Sequence, residues 1–125
     1  MNNTSALIVD DSTLMRKLLK DILINQGIST IYEANNGDDA IDIYKEKKPN
    51  LVTMDNIMPG ISGIECLKEI LQIDKNANII MMTSVGQENI IKNAMIIGAK
   101  GYLVKPFEAN KISDLIKLIF GDGVG

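Results

Sequence analysis

Short runs of apolar residues alternate along the chain with longer segments in which apolar residues recur at every third or fourth position. A short apolar run is typical of a buried strand, and recurrence at helical spacing is typical of an amphipathic helix. The pattern predicts strands at 5–10, 28–34, 51–54, 78–83 and 101–104, and helices at 13–26, 38–47, 63–73, 87–97 and 109–120. Five strands that alternate with five helices indicate an α/β fold.

The residues at the ends of these elements support the alternation. Ser12 can cap the first helix, Gly27 can end it, and Asn36-Gly37 marks a turn before the second helix. The strands are almost continuously apolar, which predicts a parallel sheet covered by helices on both faces. We therefore predict one domain over 1–125, with a flavodoxin-like, doubly wound, five-stranded parallel sheet in the strand order 2-1-3-4-5.

Composition narrows the classes of function. The net charge is -3 and Arg16 is the only arginine, so we expect no binding to nucleic acid. Cys66 is the only cysteine, which excludes a disulfide within the chain and is typical of a reducing compartment. The first residues turn acidic after a very short apolar run, so we expect no signal peptide and no membrane span. We expect a cytoplasmic monomer.

The sequence contains no histidine. This excludes serine–histidine and cysteine–histidine catalysis, histidine-ligated metals and a phosphohistidine donor on this chain. It leaves open a role as an acceptor of phosphoryl groups.

Polar residues that can carry chemistry follow the predicted strands. The first strand ends in Asp10-Asp11, the third in Asp55, the fourth in Thr83 and the fifth in Lys105. In an open α/β sheet, ligands bind at the carboxyl ends of the strands near the switch in strand order. Each residue alone has an ordinary explanation as a helix cap, a turn residue or a solvated charge. Their shared position at one edge of the sheet predicts a site.

Three carboxylates at one edge repel one another unless a cation lies between them. All the available ligands are oxygens, which favours Mg²⁺ or Mn²⁺ over Zn²⁺. Mg²⁺ sites in proteins are often completed by a phosphate, and the Lys105 ammonium and Thr83 hydroxyl are suited to bind its remaining oxygens.

These residues resemble the response-regulator receiver family, and within it the CheY-like chemotaxis regulators. The resemblance covers essentially the whole chain and is carried by LIVDDSTLMRKLLKDIL, by NNGDDAIDIYKEKKPNLVTMDNIMPGISGIECLKEI, by NIIMMTS and by GAKGYLVKPF. The most specific part is D-x-x-M-P-x-x-x-G from Asp55 to Gly63, together with the paired aspartates and Lys105-Pro106.

The resemblance implies a role for each residue at this edge. Asp55 matches the phosphoacceptor, which forms an acyl phosphate. Asp11 resembles a direct Mg²⁺ ligand and Asp10 a ligand that acts partly through water, while the backbone carbonyl of Ile57 would complete the metal shell. Lys105 resembles the lysine that pairs with a phosphoryl oxygen, and a cis peptide is implied before the proline that follows it.

The resemblance also implies a switch and a partner surface. Thr83 matches a hydroxyl that turns toward the phosphoryl group, and Tyr102 matches an aromatic residue that moves inward with it. The alternative for Tyr102 is a strand residue packed under the last helix. The fourth helix carries more isoleucine and methionine than one core stripe requires. The surplus is either harmless surface isoleucine or part of a partner-binding face. The resemblance, which implies a face built from the fourth helix, the fifth strand and the fifth helix, favours a partner face that includes Ile90, Met95, Lys100 and Tyr102. The partners implied are a histidine kinase as phosphodonor and a downstream motor or adaptor protein.

Two apolar residues lie close in sequence to the polar residues of the predicted site. Ile57 and Val85 stand two residues after Asp55 and Thr83. The resemblance implies that these two positions flank the path of the water that would hydrolyse an acyl phosphate. We predict that they influence the lifetime of the acyl phosphate, in a direction that the sequence leaves open.

Several other functions remain as alternatives. The chain could be a receiver from a longer regulator with a methylesterase or DNA-binding domain. An aspartyl-phosphate phosphatase is disfavoured because Ile57 replaces the acid that such enzymes commonly need. A flavodoxin-type FMN carrier is disfavoured because Asp10-Asp11 would repel the cofactor phosphate. We expect a phosphorylated switch, with no enzymatic activity beyond its own phosphorylation and slow hydrolysis.

Overall fold

The computed structural model describes residues 4–84 and 86–121. The strands are β1 (Ser5–Val9), β2 (Thr30–Ala34), β3 (Leu51–Asp55), β4 (Ile79–Ser84) and β5 (Gly101–Lys105). The helices are α1 (Thr13–Asn25), α2 (Gly37–Lys47), α3 (Gly63–Ile73), α4 (Glu88–Ile97) and α5 (Ala109–Phe120). The predicted alternation of strands and helices is confirmed.

The five strands form one parallel sheet in the order β2-β1-β3-β4-β5. This is the predicted flavodoxin-like, doubly wound arrangement. Because β1 lies between β2 and β3, the order of the strands reverses beside β1. The carboxyl ends of β1 and β3 are therefore neighbours at the edge where a ligand site is expected.

Each face of the sheet carries its own hydrophobic core. On one face, Leu7, Val52 and Met81 pack with buried residues of α2, α3 and α4. On the other face, Ile8 and Ile80 pack with buried residues of α1 and α5. Alternate residues of the central strands point to opposite faces, so both kinds of position must be apolar. This explains why the strands read as continuous apolar runs.

Side-chain caps fix where the helices that lead away from the site begin. The Ser12 hydroxyl accepts a hydrogen bond from the Met15 amide at 3.2 Å, and Asn36 caps α2 in the same manner. Ser62 forms a reciprocal capping box with Glu65 at the start of α3. Gly27 follows α1 with φ of 98°, a conformation that glycine adopts without a steric penalty. The predicted cap and stop of α1 are confirmed.

Strand ends differ from the sequence prediction by one or two residues. β2 begins at Thr30 rather than at residue 28, because the Ile28 amide closes the end of α1 by donating to the Leu23 carbonyl oxygen. β1 ends at Val9, one residue before Asp10, and β4 extends one residue past Thr83. The polar residues of the predicted site thus all lie within two residues of the carboxyl end of a strand.

None of the helices in residues 4–84 and 86–121 has the length and apolar character needed to cross a membrane.

Cys66 provides a probe of unfolding. Its side chain is fully buried in α3, and its sulfur lies 3.5 Å from the Gly37 carbonyl oxygen. Burial raises the pKa of the thiol to about 12, and the nearby carboxylates of Asp38 and Glu69 add to the shift. We expect Cys66 in the folded protein to resist a disulfide reagent at pH 8, and to react at the rate at which the domain opens, because only the exposed thiolate is nucleophilic. Fast labelling without denaturant would contradict this burial; the urea-unfolded protein provides the positive control.

Candidate functional site

Three carboxylates meet at the carboxyl edge of the sheet. Asp10 and Asp11 directly follow β1, and Asp55 is the last residue of β3. One carboxylate oxygen from each residue lies within 4.8 Å of those of the other two. Asp10 and Asp55 are buried, whereas Asp11 is exposed. The geometry brings together the three aspartates that the sequence placed at this edge.

Lys105 supplies the positive charge of this cluster. It is the last residue of β5, and its ammonium lies 3.0 Å from Asp10 Oδ2 and 3.4 Å from Asp55 Oδ1. The expected cis peptide between Lys105 and Pro106 is present. The lysine thus reaches across β4 to the two buried carboxylates and partly neutralises them.

Asp10 is held through both its backbone and its side chain. Its amide donates to the Ala34 carbonyl oxygen at 3.1 Å. Its Oδ1 accepts a hydrogen bond from the Ser12 amide at 2.9 Å, and its Oδ2 accepts one from Lys105. Only 1% of the residue is exposed. These contacts hold the Asp10 carboxylate in one position at the base of the site.

Opposing effects act on Asp55. Burial is the largest effect and raises the pKa of its carboxyl above the ordinary value, and the negative charge of Asp10 acts in the same direction. The Lys105 ammonium and a hydrogen bond from the Ile57 backbone amide lower the pKa of Asp55 but do not cancel the rise. A further cation at this edge would favour the ionised, nucleophilic form of Asp55.

The backbone of Asp55 is packed against the start of α3. The Gly63 amide donates to the Asn56 carbonyl oxygen at 2.9 Å, and the Ile64 amide donates to Asn56 Oδ1 at 3.1 Å. Asn56 is buried and was missed by the sequence interpretation. Its only signal was a polar residue directly after the predicted acceptor. It ties the end of β3 to the start of α3, directly after Asp55.

Thr83 is near the site in the sheet, but its hydroxyl faces elsewhere. The side chain is buried, and Oγ1 lies 3.5 Å from the carbonyl oxygen of Leu103 on β5. The structure therefore joins Thr83 to β5 and not to the aspartates. Tyr102, the predicted aromatic switch, lies next to Leu103 on that strand and is 46% exposed. This exposure disagrees with the alternative of a residue packed under the last helix.

The predicted partner residues differ in their exposure. Met95, Lys100 and Tyr102 are exposed, and Ile90 is partly buried. Ile96 on α4 is also 75% exposed, so the surplus of apolar residues on that helix reaches the surface. A groove of about 370 Å³ lies beside β5 and the beginning of α5, with Tyr102, Val104, Pro106, Phe107 and Lys111 among its lining residues. The partner face itself remains a prediction.

The donor set suits a hard divalent cation. The three aspartates offer only oxygen ligands, and the sulfur of the single cysteine is buried in α3. Mg²⁺ prefers carboxylate oxygens and retains several waters. The exposed carboxylate of Asp11 leaves one side of the cluster open to water. The residues present therefore fit Mg²⁺.

Comparison with known proteins assigns the class. The response regulator receiver domain family matches residues 6–117. This chain therefore belongs to the response regulator receiver domain family. Within it, the chain is a CheY-like receiver domain of a two-component response regulator, a class of signalling protein rather than a classical enzyme.

Three relatives illustrate the similarity. The chain is 48% identical to chemotaxis protein CheY of Bacillus subtilis over 88% of this chain and 92% of that protein. It is 38% identical to sporulation initiation phosphotransferase F of Bacillus subtilis over 94% of each chain. It superimposes with a TM-score of 0.88 and 37% identity on a chain of the CheX-CheY-BeF3-Mg²⁺ complex of Borrelia burgdorferi, covering 94% of this chain and 89% of that one.

Proposed function

We propose that this protein is a chemotaxis-type response regulator that accepts a phosphoryl group on Asp55 in the presence of Mg²⁺. The observation that carries the proposal is the position of the Asp55 carboxylate. One of its oxygens lies within 4.8 Å of carboxylate oxygens of Asp10 and Asp11, and Oδ1 lies 3.4 Å from the Lys105 ammonium, which also pairs with Asp10. That arrangement combines a nucleophile, a set of metal ligands and a cation at the open edge of the sheet.

In the proposed reaction, a carboxylate oxygen of Asp55 attacks the phosphorus of a phosphohistidine on a kinase. A new P–O bond forms while the P–N bond breaks, and the imidazole leaves with the electron pair and takes up a proton. Bound Mg²⁺ would neutralise charge on the transferring group, and Asp10, Asp11, Asp55 and the Ile57 carbonyl are the residues that would hold it. The protein's contribution is mainly positioning and electrostatic stabilisation.

Lys105 and Thr83 would bind the transferred group. The Lys105 ammonium already lies between Asp10 and Asp55, where it can pair with a phosphoryl oxygen. The Thr83 hydroxyl must leave the Leu103 carbonyl oxygen, a contact that is weak at 3.5 Å. Its rotation would free space near β5 for the inward movement of Tyr102. This couples the acceptor to the predicted partner face and so to a downstream motor or adaptor protein.

The supporting comparison is the Borrelia burgdorferi complex, which contains BeF3 and Mg²⁺ with a CheY of the same fold. Beryllium trifluoride has the shape and charge of a phosphoryl group. The test here is chemical trapping with borohydride after phosphorylation, because an aspartyl phosphate is reduced to homoserine. We expect homoserine at position 55 in the peptide mass map. Homoserine at another aspartate, or none in phosphorylated protein, would contradict the assignment.

Ile57 is expected to affect the lifetime of the acyl phosphate. Its side chain is 64% exposed beside Asp55, where it can restrict water, while Val85 lies outside the described residues. Replacing Ile57 with asparagine adds a polar side chain of similar size, so we expect a change of roughly two- to tenfold in the dephosphorylation rate, the effect of one hydrogen bond of about 0.5–1.5 kcal/mol to the attacking water. The measurement is loss of phosphoprotein after removal of the donor, with Leu118→Asn on exposed α5 as the control. Equal dephosphorylation rates for Ile57→Asn and the parent would show that the Ile57 side chain has no influence on the lifetime of the acyl phosphate.

A second candidate is a phosphorelay intermediate, favoured by the similarity to sporulation initiation phosphotransferase F. Such a protein passes its phosphoryl group on to another histidine, whereas a chemotaxis switch loses it to water after binding a partner. Incubation of the phosphorylated protein with a histidine phosphotransfer domain separates the two. Rapid appearance of phosphohistidine would favour the relay. The remaining alternative, a receiver from a longer regulator, is tested by the natural length of the gene product.

A further inference from the structure

Arg16 connects three elements directly behind the acidic cluster. It lies in the first turn of α1, and its side chain is 14% exposed. Its Nη1 donates to the backbone carbonyl oxygen of Asp10 at 2.6 Å, and its Nε donates to Glu33 Oε1 on β2 at 3.1 Å. Its Nη2 donates to the Thr13 hydroxyl at 3.3 Å. Each of its three nitrogens therefore has a different partner.

The shortest of these contacts acts on the peptide between Asp10 and Asp11. A carbonyl oxygen and the following amide lie in one rigid plane, so fixing the Asp10 oxygen fixes the amide of Asp11 as well. The bond is charge-assisted, which makes it stronger than a bond between neutral groups. The orientation of this peptide determines where the Asp11 side chain begins.

Asp11 needs such support because its own side chain has none. Within residues 4–84 and 86–121, the Asp11 carboxylate has no hydrogen bond and no ion pair, and the residue is exposed. Asp10, by contrast, is held by Ser12 and Lys105. The backbone on either side of Asp11 is therefore what keeps its carboxylate within reach of the cluster.

We propose that Arg16 is a positioning residue for the cation site: it locks the Asp10–Asp11 peptide so that the Asp11 carboxylate faces the other two. The hydrogen bonds to Glu33 and Thr13 orient the guanidinium toward the Asp10 carbonyl oxygen. The role requires the planar fork of arginine, because a single ammonium cannot bind partners in three directions with the same geometry. The proposal rests on the proposed Mg²⁺ site.

The test is the affinity for Mg²⁺, measured by titration of the ¹⁵N-labelled protein. We expect Arg16→Gln and Arg16→Lys each to raise the dissociation constant about 10-fold, the lower end of the effect of removing a group that orients a metal ligand. The ¹⁵N shift of the Asp11 amide should change in both variants before any metal is added, because its peptide loses the hydrogen bond. Glu33→Gln should give a smaller rise, because the guanidinium itself remains.

A second readout separates positioning from catalysis. With acetyl phosphate as donor, the Mg²⁺ concentration for half-maximal phosphorylation should rise by the same factor as the dissociation constant. The rate at saturating Mg²⁺ should stay within about twofold of the parent, because the reacting groups are unchanged.

The control for simple destabilisation is Tyr44→Phe. This variant removes the hydrogen bond of 2.9 Å from the Tyr44 hydroxyl to Asp74, at the opposite end of the sheet from the site. It should lower the melting temperature and leave the Mg²⁺ affinity unchanged. An equal loss of affinity in Tyr44→Phe would mean that general stability, and not Arg16, sets the affinity.

The outcomes distinguish this inference from the proposed function. If the parent binds Mg²⁺ and folded Arg16→Lys binds it equally well, Arg16 has no positioning role and the proposed function stands. If the parent binds no Mg²⁺, both are overturned. Should Arg16→Gln fail to fold, Arg16→Lys and Glu33→Gln decide the question, because they retain the aliphatic stem and the guanidinium respectively.

Discussion

Replacing Lys105 with methionine is expected to lower the stability of the domain and the rate of phosphorylation, and to raise the affinity for Mg²⁺. Without Mg²⁺, the free energy of unfolding should fall by about 2 kcal/mol, because Asp10 and Asp55 lose the ammonium that pairs with both of them. The affinity for Mg²⁺ should rise, because the ammonium no longer competes for the same carboxylates. The phosphorylation rate at saturating Mg²⁺ should nevertheless fall about 100-fold, because a donor to the phosphoryl oxygens is lost.

Tighter metal binding combined with slower chemistry is not expected from general damage to the fold. Urea unfolding with EDTA and with Mg²⁺, Mg²⁺ titration and single-turnover phosphorylation give the three quantities. Lys17→Met is the matched control, because Lys17 is an exposed lysine on α1. Weaker Mg²⁺ binding in Lys105→Met would show that the lysine supports the cation rather than competing with it, and would contradict the account.

Among substitutions that add a single methyl group, Gly63→Ala is expected to cause the largest loss in the free energy of unfolding. A Cβ at this position would lie 2.6 Å from the Asn56 Cα and still closer to the Asp55 carbonyl oxygen. Both obstacles are backbone atoms, so α3 or the end of β3 must move. We expect a loss of about 3 kcal/mol in the free energy of unfolding, the upper part of the range for overpacking. Slower phosphorylation should accompany it, because Asp55 is displaced.

Gly37→Ala provides a close control. Gly37 is likewise the first residue of a helix, and a Cβ there would also be close to another atom, Ile61 Cγ1 at 2.5 Å. That atom belongs to a flexible side chain that can turn away. We therefore expect a much smaller loss of stability and normal phosphorylation. Equal losses in the two variants would show that the close approach of Gly63 to β3 has no special role; chemical denaturation of both proteins measures the difference.

The sequence was sufficient to predict the sheet and the placement of four charged residues together at its carboxyl edge. Asp10, Asp11, Asp55 and Lys105 follow apolar strands, and a parallel sheet brings the carboxyl ends of its strands to one edge whatever the details of packing. The strand order then places Asp55 beside the paired aspartates. These predictions depend only on periodicity and topology, which a single sequence contains.

Arg16 and Asn56 could not be recognised in the same way. Their roles depend on hydrogen bonds to backbone atoms of other segments, the Asp10 carbonyl oxygen and the amides at the start of α3. No spacing in the sequence encodes such contacts. The direction of the Thr83 hydroxyl was equally inaccessible, since it depends on rotation about one side-chain bond.

The most direct test of the central claim is the intact mass of the protein after incubation with acetyl phosphate. The parent should gain one phosphoryl group when Mg²⁺ is present and none when EDTA replaces it. Asp55→Ala should gain none under either condition. Because rapid hydrolysis could hide an adduct, beryllofluoride binding in the same buffers accompanies the measurement. An adduct that forms without Mg²⁺, an adduct that persists in Asp55→Ala, or the absence of both adduct and beryllofluoride binding in the parent would contradict the account.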